Sequence, residues 1–156
     1  MRRVHAWEFH EQTFVPRVVR ESIVEALGRG LRWGRYYEAI APTFAEFCSQ
    51  IDGPLEAVDM CCGSGEPAAA LLDALASRGL PQPSFVLTDL FPNPQATESA
   101  VARHPDLLTA HHAPVDATAL PPSLDRPIRT VFNAFHHFTP ELAERIIRDT
   151  IQARRA

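Results

Sequence analysis

The stretch that decides the fold is residues 57–72, which read AVDMCCGSGEPAAALL. A short apolar run typical of a buried strand leads into Gly63 and Gly65, and an alanine- and leucine-rich run typical of a helix follows. Glycine lets the backbone turn sharply and approach a ligand closely, because it carries no Cβ. A tight strand-to-helix turn also uses glycine for structural reasons alone. This stretch therefore predicts a strand, a turn and a helix, but it does not by itself decide whether the loop binds a ligand.

Strands and helices alternate after this unit. Such an alternation predicts an α/β fold with a parallel sheet and right-handed crossovers. Thr139 and Pro140 open the last helix, since threonine caps a helix well and proline suits its first position. The predicted strands are LEAVDM (55–60), SFVLTD (84–89), LTAHHAPV (108–115) and PIRTVFNAF (127–135), and the predicted helices cover about 67–77, 95–103 and the residues after 139.

The segment before the first strand has helical spacing instead. Apolar residues recur every three or four positions over 15–28 and again over 36–51. Asp52, Gly53 and Pro54 then interrupt the pattern. We therefore predict a helical N-terminal cap over 1–53 and an α/β core over 54–156.

Composition points to a soluble protein of about one domain. The chain has 156 residues, of which 46% are hydrophobic and 22% charged, and its net charge of -4 gives no reason to expect nucleic acid as a partner. Three cysteines, two of them adjacent, indicate no disulfide framework. No signal peptide or membrane-spanning run is visible. A cytoplasmic location without membrane contact is the expectation.

Polar residues follow each predicted strand, at the edge where parallel sheets bind ligands. Asp89 follows the second strand, where a carboxylate can accept hydrogen bonds from both hydroxyls of a ribose or can cap the next turn. Asp116 follows the third strand and is a candidate acceptor for an adenine amino group, or again a cap. Asp59 lies within the first strand, where a charge is costly unless its oxygens are hydrogen-bonded. We expect it to accept backbone N–H groups of the glycine loop.

The series VDMCCGSG, LTDLFPN, VDATALP and TVFNAFHHF resembles the class I S-adenosylmethionine-dependent methyltransferases. The resemblance covers about residue 55 to the end and implies a Rossmann-like sheet of about four strands flanked by helices. Cys61 stands where the family loop often has its first glycine. The resemblance implies S-adenosylmethionine as cofactor and methyl transfer to an unknown acceptor, a small molecule being favoured. The implied cofactor-binding residues are Asp59, Cys61, Gly63, Ser64, Gly65, Asp89, Leu90, Asp116, Ala117 and Asn133.

Within this implied site, the glycine loop lines the methionine portion, Asp89 holds the ribose, Asp116 and Ala117 flank the adenine, and Asn133 lies near the methyl group. His136 and His137 are candidate general bases for an acceptor that arrives protonated, since histidine titrates near neutral pH. Packing or loop orientation is the alternative role for both.

Other classes compete with this interpretation. GSGEPA also fits the G-x-G-x-x-G/A fingerprint of nicotinamide-dependent oxidoreductases, with Asp89 downstream. A metal site is not expected, because adjacent cysteines or histidines on a strand point to opposite faces.

The family's sheet usually has more strands than this chain supplies. A fourth strand left as an open edge invites pairing with another strand. The chain is then a truncated enzyme, a half that self-associates or binds a partner chain at that edge, or a non-catalytic cofactor-binding module.

Overall fold

The computed structural model describes residues 15, 16, 18, 19, 22, 23, 26, 30 and 35–153. The helix predicted over 15–28 falls largely outside these residues, although those described at 18, 19, 22, 23 and 26 are helical. The helices are α1 (Tyr36–Cys48), α2 (Glu66–Ala76), α3 (Pro94–Arg103) and α4 (Pro140–Ala153); the strands are β1 (Glu56–Met60), β2 (Ser84–Thr88), β3 (Leu108–Ala110) and β4 (Ile128–Thr130). Short 3₁₀ turns cover Pro122–Leu124 and Phe135–His137.

The four strands form one parallel sheet in the order β3-β2-β1-β4. The chain runs outward from β1 through β2 to β3 and then returns to the other side of β1 as β4. Connections leaving β1 and β4 therefore diverge, which opens a crevice at the carboxyl ends of these two strands. The prediction of a Rossmann-like α/β fold with about four parallel strands is confirmed.

The core lies on both faces of the sheet, because strand side chains alternate between them. On one face α1, α2 and α3 pack against the sheet; on the other, α4 packs through Ile146. Fully burying a leucine or phenylalanine contributes ~1.5–3 kcal/mol, so the larger first face dominates. It includes Tyr37, Ala41, Ala57, Leu71, Leu72, Leu75, Phe85, Leu87, Ala100, Leu108 and Ile128, whereas the second includes Val58, Met60, Val115, Ala117 and Leu120.

The third and fourth strands are shorter than the sequence predicts. Beyond Ala110 the chain still follows β2, since the His111 N–H donates to the Leu87 carbonyl at 2.9 Å and the Val115 N–H donates to the Asp89 carbonyl at 2.9 Å. In a regular ladder Ala113 would donate to Asp89, but Val115 donates there instead, so the ladder is interrupted between His111 and Val115. Beyond β4, the left-handed conformation of Asn133 (φ 54°) ends the extended run.

Strand β4 lies at an edge of the sheet, where β1 is its partner among the residues described. On this strand the Arg129 guanidinium, whose side chain is 4% exposed, donates to Asp125 at 2.9 Å and to Asp149 of α4 at 2.7 Å. These ion pairs hold α4 against β4. Association with a partner chain at this edge stays a prediction.

None of the helices in the described part of the chain combines the length and apolarity that crossing a membrane requires.

Candidate functional site

The loop between β1 and α2 is built from left-handed residues. Cys61 (φ 62°), Gly63 (φ 56°) and Gly65 (φ 72°) all have positive φ. Two hydrogen bonds close the turn: the Cys62 N–H donates to the Thr88 carbonyl at 3.0 Å, and the Gly65 N–H donates to the Cys62 carbonyl at 2.8 Å. Cys61 thus has the conformation that glycine adopts most readily, at the position where the family resemblance places a glycine.

Replacing Cys61 by glycine is expected to give a more stable protein than replacing it by alanine, by ~1 kcal/mol. Both changes remove the thiol, so their difference isolates the cost of a Cβ at positive φ. Urea denaturation of the two variants measures it. At Cys62, which does not have positive φ, the alanine variant should be more stable than the glycine variant. An alanine variant at 61 as stable as the glycine variant would contradict the left-handed conformation.

The backbone of Gly65 lies very close to side chains of β2 and α3. A Cβ at this position would lie 2.7 Å from Leu87 Cδ1 and 3.3 Å from the Ala100 Cβ. Glycine is therefore needed here for the close approach of the loop to β2 and α3. The sequence analysis assigned Gly65 to the ligand cradle; the structure places it against the core, where it sets how deeply the loop lies.

Asp89 ties the end of β2 to the glycine loop. Its Oδ2 accepts the Gly63 N–H at 2.9 Å, and its Oδ1 accepts the Phe91 N–H, also at 2.9 Å. The second bond is the turn-capping role that the sequence left open, and the first places the carboxylate beside the glycine loop. Each carboxylate oxygen accepts more than one hydrogen bond, so capacity remains for ligand hydroxyls. The ribose role of Asp89 stays a prediction.

Asp59 is fully buried, and its contacts differ from the expected ones. The expectation that it accepts glycine-loop N–H groups is wrong: its Oδ1 accepts the Thr130 hydroxyl at 2.8 Å, and within the described part of the chain its Oδ2 has no hydrogen-bond partner. The reason is register, since Asp59 pairs with Thr130 on β4, while the Gly63 N–H goes to Asp89. Burial raises the pKa of Asp59 to about 8; the Thr130 bond opposes this with a smaller effect, and the charge of Asp89 adds the smallest one.

Tyr37 and Asn133 form a contact that the sequence analysis did not foresee. The Asn133 side-chain amide donates to the Tyr37 hydroxyl at 2.8 Å, which joins α1 to the loop after β4. Tyr37 is 3% exposed, and its ring packs edge-on against Phe132 at 5.9 Å. Burial raises the pKa of Tyr37 to about 12, so the phenol stays protonated. In the sequence, Tyr37 belongs to the apolar pattern over 36–51, which predicts a helix. That pattern does not indicate a hydrogen-bonding partner for the Tyr37 hydroxyl.

The remaining predicted cofactor residues lie along the same edge in different environments. Asp116 is exposed, and its Oδ1 accepts both the N–H and the hydroxyl of Thr118, at 2.8 Å and 2.7 Å, which lowers the pKa of the carboxyl. This is the capping role left open from the sequence. Ala117 is buried in the core, Leu90 is exposed, and buried Ser64 accepts the Glu66 N–H at 3.5 Å.

His136 and His137 occupy the 3₁₀ turn that follows Asn133. Their rings lie close together, with centroids 3.9 Å apart. Phe135 and Phe138 flank them, at a centroid distance of 6.3 Å from each other. The turn thus places two imidazoles near the end of β4, and their role as bases stays a prediction.

The polar residues at the carboxyl edge of the sheet do not line the larger of two cavities that the described residues form. A cavity of about 430 Å³ lies at the opposite, amino end of the sheet, lined among others by Asp52, Arg126 and Ala153, whereas the space beside Asp89 and His111 measures about 10 Å³. The large cavity adjoins the satisfied ion pair of Arg129 with Asp125. The partnerless Asp59 oxygen lies instead at the carboxyl edge, so we locate the candidate site there.

The parallel sheet, its strand order and the crevice between β1 and β4 define a Rossmann-like α/β protein with a candidate ligand site at the carboxyl edge. Comparison of the chain with models of protein families, with curated proteins and with solved structures found no match in any of the three.

Proposed function

We propose that this protein binds S-adenosylmethionine at the carboxyl edge of its sheet and transfers the methyl group to an acceptor. The observation that carries the proposal is the buried Asp59 Oδ2, which has no hydrogen-bond partner among the described residues and belongs to β1, one of the two strands at the switch point. Burial raises the pKa of Asp59 to about 8, so the unliganded carboxyl is protonated near neutral pH. A cationic ligand group would favour release of that proton and would pair with the resulting carboxylate. The proposed cofactor carries both an ammonium and a sulfonium.

The charge of the edge favours such a cofactor over a dinucleotide. The loops over 61–65, 89–93 and 131–137 contain no arginine or lysine, while Asp59 and Asp89 are acidic. Glu66 occupies the first turn of α2, where a pyrophosphate would bind to the helix N-terminus, and its carboxylate pairs with Arg103 at 3.1 Å. A dinucleotide would place its phosphates beside these carboxylates, where the cation in contact with them, Arg103, already pairs with Glu66.

The position of Gly65 is compatible with the nicotinamide alternative as well. In the dinucleotide fingerprint the second glycine lets the backbone approach the pyrophosphate. In the GSGEPA motif that glycine is Gly65, whose Cβ position is filled by Leu87 and Ala100 of the core. This contact accounts for the glycine under either proposal, so the acidic charge of the edge is what makes the oxidoreductase the weaker one.

The residues have distinct roles in the proposed reaction. When bound, the cofactor supplies a methyl group activated by its sulfonium. Asp59 offers its free oxygen to the ammonium, and Asp89 offers its remaining lone pairs to the ribose hydroxyls. The loop carrying Asn133 borders the methyl end, and His136 or His137 accepts a proton from an acceptor that binds protonated. Orientation of the two reactants then accounts for most of the rate enhancement.

The test is isothermal titration with S-adenosylhomocysteine and, separately, with NADH. We expect binding of S-adenosylhomocysteine alone, and an affinity at least about tenfold lower in Asp59→Asn, since a charge-assisted hydrogen bond contributes ~1.5–3 kcal/mol. Asp106→Asn is the matched control, because Asp106 is exposed and precedes β3 at the amino end. Binding of NADH instead would assign the protein to the oxidoreductases.

Two further outcomes bear on catalysis. Binding of S-adenosylhomocysteine without methyl transfer to any acceptor in a panel of small molecules would favour the non-catalytic module. Absence of binding to either probe by the folded wild-type chain would overturn the proposal.

A further inference from the structure

Helix α1 contributes one polar group to the candidate site. Among the hydrogen bonds of the described residues, the one that joins a side chain of α1 to the chain beyond β4 is that of Tyr37. Its partner, Asn133, lies 96 positions further along the chain. Its ring is fixed by edge-on contacts with Tyr36 at 5.6 Å and Phe132 at 5.9 Å. The ring contacts and its burial at 3% exposure therefore hold the hydroxyl at a defined place beside the loop.

Asn133 has a backbone conformation that needs such support. Within the described residues, Arg35, Cys61 and Asn133 are the non-glycine residues with positive φ, and the latter two follow the adjacent strands β1 and β4. A left-handed non-glycine residue persists when its surroundings hold it. For Asn133 the Tyr37 hydroxyl is the partner that fixes the side chain.

We propose that Tyr37 is a positioning residue: through its hydrogen bond it holds Asn133 in the left-handed conformation, and so fixes the loop that borders the methyl end of the cofactor. This inference rests on the proposed function, and it adds that the N-terminal helix determines cofactor affinity. Because linkage is reciprocal, bound cofactor also stabilises the contact between α1 and the loop.

The experiment compares Tyr37→Phe with wild type by isothermal titration with S-adenosylhomocysteine. The substitution removes one oxygen atom and keeps the ring packing. We expect affinity to fall about five- to tenfold, the ratio produced by the loss of ~1–1.4 kcal/mol. Tyr36→Phe removes the same atom from the neighbouring exposed tyrosine and should leave the affinity unchanged.

A second pair of variants separates positioning from packing. Glycine at position 133 adopts positive φ without help, so in the Asn133→Gly background Tyr37→Phe should cause no further loss. Side-chain amide signals of Asn133 in NMR spectra report the hydrogen bond directly, without any ligand. They should shift in Tyr37→Phe and stay in place in Tyr36→Phe.

Each outcome decides the inference. Unchanged affinity in Tyr37→Phe, or an equal loss in the Asn133→Gly background, would overturn it while leaving the proposed function intact. Failure of wild type itself to bind S-adenosylhomocysteine would overturn both, and the NMR comparison would then show whether the Tyr37 bond exists as a structural contact alone.

Discussion

Substituting Gly65 with alanine is expected to lower the free energy of unfolding by about 2–4 kcal/mol. Two costs add. Alanine at φ 72° has an unfavourable backbone conformation, and its Cβ would lie 2.7 Å from Leu87 Cδ1. Leu87 is 1% exposed, so its side chain has no free space to move into, and the Ala100 Cβ at 3.3 Å blocks the other direction. Urea denaturation at constant pH measures the loss.

Gly79 offers a matched control for this prediction. It also has positive φ (64°), but nothing lies within 4 Å of its Cβ position. Gly79→Ala should therefore cost only the conformational part, ~1 kcal/mol. In a Leu87→Ala background, the cost of Gly65→Ala should fall toward that value, because the 2.7 Å clash is gone and only the 3.3 Å contact with Ala100 remains. Equal costs at 65 and 79 in the wild-type background would contradict the close approach of the loop to β2.

Stability should fall as the pH rises from about 6 to 8.5, and Asp59 should account for ~1–3 kcal/mol of that fall. Burial raises the pKa of Asp59 to about 8 in the folded protein. An unfolded aspartate titrates near ~3.9, so between these values the folded state holds a proton that the unfolded state has released. The contribution is complete at low pH and is lost as the pH rises through about 8.

Asp59→Asn provides the comparison, because it removes the titration while keeping the shape of the side chain. Thermal unfolding of both proteins across the pH range should show a shallower slope for the variant. The histidines and other titrating groups affect both proteins alike and cancel in the difference. Parallel pH profiles would mean that Asp59 ionises in the folded state as easily as in the unfolded chain.

The fold was predictable because its signals are local. The glycine turn between an apolar strand and an alanine-rich run predicted β1 and α2 within a residue or two, and Thr139 and Pro140 marked where α4 begins. The lengths of β3 and β4 were not predictable in this way. They depend on the backbone between His111 and Val115 and on the positive φ of Asn133, and neither is visible in the alternation of side chains.

The site was predictable only as a set of positions. The sequence placed Asp59, Asp89 and Asn133 at the carboxyl edge, since parallel strands bring their ends together. It did not indicate which oxygens pair, because the Thr130 bond to Asp59 depends on the register of β4 against β1. Tyr37 was missed for a related reason: its partner lies 96 residues away, and no local pattern links them.

The bond between Tyr37 and Asn133 has a consequence for how this protein could be divided or recombined. A break at Gly53 would detach a helix whose side chains belong to the same core as the sheet and whose hydroxyl fixes a loop of the candidate site. The N-terminal segment and the α/β core are therefore not interchangeable modules. A chimaera that borrows its first helix from another protein would need a tyrosine in register with position 37, and an evolutionary change at either partner would favour a compensating change at the other.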